Sequence, residues 1–170
     1  MSEPNRMTLS SSCAAATTAH EASFRIDAPP RTPRSTRVIT LDPGAAAQVD
    51  PLYDPELTGV RYLHYEGSGA PPDAPDDLLL GTIDHSSTRL SDQLSDADFV
   101  LMVATDSSGA QAASVIGAAC TARGMVTAGV VWEQSEAAEE AVRALRPFSR
   151  TLLISDDRFD VAEILRTVGS

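Results

Sequence analysis

DFVLMVATDSSGAQAASVIGAACTARGMVTAGVVWEQSEAAEEAVRALRPFSRTLLISDD, residues 98–157, reads as strand, polar loop, helix, strand, helix, strand. The run FVLMVA (99–104) is apolar throughout, as a strand buried on both faces must be. The loop TDSSGAQ (105–111) follows, and then the helix AASVIGAACTAR. Ala112, Val115, Ile116 and Ala119 fall on one stripe of that helix, and their small size lets it lie close to a sheet. Next come the strand VTAGVVW, the helix SEAAEEAVRALR and the strand RTLLIS. A loop between a buried strand and a helix aims backbone N–H groups and the positive end of the helix dipole at one point.

The same alternation extends outward. RVITL (37–41) reads as a buried strand, DPG (42–44) as a turn, and AAAQVDPLYDPEL as a helix that Pro51 and Pro55 limit to about two turns. VRYLHY (60–65) is a second strand, EGSGAPPDAPDD (66–77) a loop, and LLLGTI (78–83) a short third strand. HSSTRLSDQLSD (85–96) reads as a polar helix with Leu90 and Leu94 on its apolar edge. RFDVAEILRTVGS (158–170) supplies a last helix. Strands alternating with helices predict an α/β fold: a three-layer, Rossmann-like, mainly parallel sheet with helices on both faces. Residues 36–170 form this domain. Residues 1–35 are poor in large apolar side chains and predict a disordered or partner-ordered arm, in which Phe24 and Ile26 are spaced like one strand face.

The chain has 170 residues and a formal charge of −11, which disfavours nucleic acid and anionic lipid as partners. No apolar run approaches the roughly 20 residues of a membrane span. The N-terminus lacks the basic and apolar segments of a secretory signal. Cys13 and Cys120 have no metal spacing, and reduced thiols fit a cytoplasmic protein.

Two loops fall at carboxyl ends of strands, where open α/β sheets bind ligands. A phosphate loop needs several glycines, but the first loop keeps only Gly44 and the second only Gly109. Asp42 and Asp106 place carboxylates where phosphates would sit, and Pro43 removes a donor. Ser107 and Ser108 suit a small anion, though helix capping by Asp106, Ser107 and Ser108 is the plainer expectation. Asp156 and Asp157 fit a helix cap or a ribose contact. No G-x-S-x-G elbow is present, and His64 and His85 read as structural. Glu133, Glu136, Glu139 and Glu140 suit a solvated helix start, and Trp132 a half-buried residue or a surface anchor.

Taken together, RVITLDPGAAAQVDPLYDPELTGVRYLHY (37–65), SDADFVLMVA (95–104), SSGAQAASVIGAACTARGMVTAGVV (107–131) and AVRALRPFSRTLLISDDRF (141–159) resemble the nucleotide-binding domain of the FtsZ/tubulin family. Gly109, Ala112, Ala113, Gly124, Thr127, Gly129, Val130 and Val131 fall where that family has similar residues. The family signature is G-G-G-T-G-[ST]-G, whereas this chain has TDSSGAQ. The family's first loop is a glycine run followed by asparagines, whereas this chain has DPGAAA. The section that senses the γ-phosphate is shortened, and the chain stops at Ser170, before the family's long central helix finishes and before its acidic hydrolysis loop and second domain. The resemblance therefore implies a truncated pseudo-GTPase, with no catalytic residues, no metal and no bound GTP or GDP. Its expected role is as subunit, scaffold or regulator with protein partners, a larger assembly or a true family member among them. A second expectation rests on the strand–SSG–helix segment, which is similar to sugar-isomerase (SIS) domains. It implies a small anionic ligand, nucleotide or phosphosugar, held by Gly44, Asp106, Ser107, Ser108, Gly109 and Asp156. A third is an accessory subunit active only within an enzyme complex.

Overall fold

The structure, a computed structural model, describes residues 35–67, 78–132 and 137–169. The expectations for the arm, for Cys13, Phe24 and Ile26, for most of loop 66–77, and for Glu133 and Glu136 lie outside these residues.

The elements in chain order are β1 (Thr36–Thr40), α1 (Pro43–Val49), a 3-10 turn (Asp50–Leu52), β2 (Val60–His64), β3 (Leu79–Thr82), β4 (Ser87–Arg89) and α2 (Leu90–Leu94). Then follow β5 (Phe99–Ala104), α3 (Ala110–Ala122), β6 (Val126–Trp132), α4 (Ala137–Leu145), β7 (Thr151–Ser155) and α5 (Arg158–Gly169). They build the predicted α/β fold. One seven-stranded sheet has the order β4-β3-β2-β1-β5-β6-β7. The pairs β1–β2, β1–β5, β5–β6 and β6–β7 are parallel, while β2–β3 and β3–β4 are antiparallel.

β1 and β5 lie at the centre and are buried along their whole length. Their alternating side chains feed two cores. Ile39, Val100 and Met102 face α3 and α4, while Val38, Leu101 and Val103 face α1 and α5. Such two-sided burial suits the unbroken apolar run of β5, while in β1 the buried Arg37 and Thr40 are hydrogen-bonded. On α3 the buried side is Ala112, Ala113, Ile116, Gly117, Ala119 and Cys120. The Phe148 ring lies against Gly117, where a Cβ would stand 2.2 Å from its Cγ. α3 ends in a Schellman motif: Met125 N–H reaches Cys120 O and Gly124 N–H reaches Thr121 O, with Gly124 at φ +66°. Burial pushes the Cys120 thiol up to about 11, so it stays protonated and inert.

Two expectations are corrected. Residues 85–96 do not form one polar helix. His85 takes φ +61° in a tight turn held by Thr82, Asp84 and Ser86, Ser87–Arg89 pair with β3, and only Leu90–Leu94 is helical. Hydrogen bonding to β3 overrides the weak helical pattern of HSSTR. Trp132 is neither half-buried nor a surface anchor; it is 2% exposed and packs in the α1/α5 core.

Arg37 is buried at the amino end of β1 with 1% exposure. Its Nε donates to Gln93 O at 2.9 Å, and its terminal nitrogens donate to Ser35 Oγ, Thr36 O and Asp96 Oδ1. The clamp ties the end of α2 to the central strand. Burial opposes ionisation of Asp96, but the Arg37 hydrogen bond and charge win and hold its carboxyl below the usual carboxylate range. A carboxyl depressed in the folded state stabilises above its unfolded value of about 3.9 and loses that stabilisation as pH falls through the folded value. Melting curves between about pH 6 and pH 3 are therefore expected to fall less steeply for Asp96→Asn than for the wild type. Parallel curves would show that the pair contributes nothing to the pH dependence.

Candidate functional site

The strand order reverses direction between β1 and β5, because β1 continues to β2 on one side and β5 to β6 on the other. Open sheets leave a crevice at such a point, outside the carboxyl ends of the strands. The loops after β1 and β5 meet there and bring together Gly44, Asp106, Ser107, Ser108 and Gly109. Asp156 is not part of this group. It is exposed at the end of β7, with β6 between its strand and β5.

The crevice is filled from within. Asp42 is 2% exposed and is the N-cap of α1, with Pro43 opening the helix. Its Oδ1 accepts from Ala45 N–H at 2.7 Å and from the Thr105 hydroxyl. Its Oδ2 accepts from Thr105 N–H at 2.7 Å and from Asp106 N–H at 3.4 Å. One carboxylate thus takes one amide of the first helix and two amides and a hydroxyl of the loop after β5, donors of the kind that a phosphate in this crevice would use. The DPG segment is therefore a helix start rather than the expected turn.

The loops are also pressed together. Leu41 N–H donates to Val103 O at 2.9 Å. A Cβ on Gly44 would lie 2.2 Å from Thr105 Oγ1, and one on Gly109 would lie 2.3 Å from Leu41 O. Gly109 has φ −89°, so its glycine serves close backbone approach and not an unusual conformation.

The expected capping of α3 by Asp106, Ser107 and Ser108 is corrected. The N-cap is Gly109, and no side chain caps the helix. Asp106 Oδ1 instead accepts from Ser108 N–H at 2.7 Å within the loop, a bond two residues along that competes with helix capping. Asp157 does cap α5, accepting from Phe159 N–H at 2.8 Å.

A second concavity of about 420 Å³ opens beside the crevice at the end of β2, lined by Asp42, Asp50, His64, Tyr65, Glu66 and His85 among others. The signal for it was the pair of histidines at a strand end and a turn, which only the β3–β4 hairpin brings together. Thr40 Oγ1 and His64 Nδ1 are 2.9 Å apart, and His64 Nε2 is 3.5 Å from Asp50 Oδ1. The series has the look of nucleophile, base and acid. Thr40 is 1% exposed, however, so no substrate reaches its hydroxyl, and the contacts serve to fix the imidazole. Among the described residues no group of three or more His, Cys, Asp or Glu is placed to hold a metal ion. No described helix is long and apolar enough to cross a membrane.

Neither a scan against protein-family models nor a search of curated proteins finds a match for this chain.

Proposed function

We propose that this chain is a non-catalytic module of the FtsZ/tubulin type that has exchanged its nucleotide for an internal carboxylate. It acts through its surfaces, as a subunit, scaffold or regulator of a protein assembly. The observation that carries the reading is the set of donors held by Asp42. A triphosphate entering the same crevice meets a fixed negative charge, and Coulomb repulsion at about 4 Å costs several kcal/mol in a partly buried site. It must also replace charge-assisted hydrogen bonds that are already made.

A thermal melt tests this. Ligand at 100 times its dissociation constant adds about 2.7 kcal/mol, a shift of several degrees. GTP, GDP and a panel of sugar phosphates are expected to leave the melting temperature unchanged. A shift with GTP overturns the proposal.

One observation favours a second reading, a small-anion site. α3 has no side-chain cap, and the Ser107 and Ser108 hydroxyls have no hydrogen-bond partner among the described residues. A shift with a sugar phosphate and none with nucleotides selects that reading.

A further inference from the structure

The two edges of the sheet differ. β4 is three residues long and polar, Ser87–Arg89, and short polar edges discourage pairing with other chains. β7 is Thr-Leu-Leu-Ile-Ser, and among the described residues no strand lies beyond it. Ile154 is 47% exposed there, and Phe159, in the first turn of the following helix, is 71% exposed. Arg150 precedes the strand and Asp156 follows it. Both are exposed, and neither makes an ion pair among the described residues.

We propose that β7 is a dimerisation edge, on which the β7 of a second copy pairs antiparallel about Leu153. That register places Thr151 opposite Ser155, Leu152 opposite Ile154 and Arg150 opposite Asp156, each twice by the two-fold symmetry. Leu152 and Ile154 share one face of the strand by alternation, and Leu152 marks it as the face of the α3/α4 core, while Arg150 and Asp156 stand at the bends that flank the strand. Directly opposite side chains in an antiparallel pair touch. Two aliphatic pairs are thus flanked at each end by an ion pair. Moving the centre to Leu152 sets Arg150 against Ile154, and moving it to Ile154 runs Arg150 past the end of the strand to the start of α5. Charge therefore selects the register about Leu153. The occupant is a second copy because the edge is complementary to itself. The net charge of −11 on each chain opposes association, so the dimer is weak, with a dissociation constant of about 100 µM. This inference is independent of whether the crevice binds nucleotide.

Analytical ultracentrifugation of the full chain, from about 1 to 200 µM at about 0.15 M salt, tests it. A monomer–dimer equilibrium is expected. Arg150→Asp and Asp156→Arg each weaken it about tenfold or more, and the double exchange restores it. Ile154→Lys abolishes it, while Leu79→Lys, at an exposed position on the other side of the sheet, leaves it intact. All of these positions are exposed, and circular-dichroism melts report that the variants fold. A chain that stays monomeric throughout overturns the proposal. So does a dimer indifferent to Ile154→Lys, or single exchanges that the double one does not rescue.

Discussion

Asp42→Ala is expected to lower the melting temperature by about 10 °C, equivalent to about 3 kcal/mol. The substitution removes an N-cap, worth about 1 kcal/mol, and the acceptor for the Thr105 amide and hydroxyl. Hydrogen bonds to a charged group contribute about 1.5–3 kcal/mol each, but these share one carboxylate and do not add in full. Asp42→Asn should fall between. Asparagine caps a helix well, yet its amide group turns a donor toward donors. Thermal melts of the three proteins read the order directly. A neutral Asp42→Ala would mean that the carboxylate does not hold the two loops.

Gly109→Ala is expected to cost about as much, about 3 kcal/mol, and Gly109→Val to prevent stable folding. The added Cβ meets the Leu41 carbonyl oxygen at 2.3 Å and Leu41 Cβ at 2.6 Å, and the first of these is backbone that cannot rotate away. Relief requires β1 and the loop after β5 to separate. That separation stretches the Asp42 bonds and the Leu41 N–H to Val103 O bond. Gly124→Ala is the informative comparison. Gly124 has φ +66° and nothing within 4 Å of an added Cβ, so only the left-handed backbone is penalised, by about 1 kcal/mol. Chemical denaturation of both variants should place Gly109→Ala well below Gly124→Ala in stability. The reverse order would mean that the crevice is looser than its contacts indicate.

The core of the fold was legible because the central strands announce themselves. Phe99–Ala104 has no polar residue to place on a solvent face, and Val126–Trp132 and Ala110–Ala122 follow at the spacing of a right-handed crossover. β4 was not legible. Ser-Thr-Arg carries no strand signal of its own, and it becomes a strand because β3 lies beside it. Arg37 falls inside RVITL, which reads as a buried strand, but the sequence does not show what pairs with its charge. It is buried because the last turn of α2 and Asp96 fold over it, 56 and 59 positions away in sequence.

The site was half legible. The scarcity of glycine and the carboxylates of Asp42 and Asp106 are visible in DPGAAA and TDSSGAQ. From the sequence alone, Asp42 is a repulsive obstacle to phosphate. Its role as the occupant depends on Thr105, 63 residues further on, which presents its N–H to the same oxygen pair. The serine loop misled in the other direction. Serine before a helix normally caps it. Here Gly109 occupies the N-cap position because the backbone lies against Leu41, and no larger residue fits.

The decisive measurement is the response of the backbone amides of Ala45, Thr105 and Asp106 to GTP, followed by heteronuclear NMR on the full chain up to about 1 mM nucleotide. These three N–H groups carry the Asp42 carboxylate. Their resonances are expected not to move. Saturable shifts at all three, with the nucleotide displacing Asp42, would contradict this.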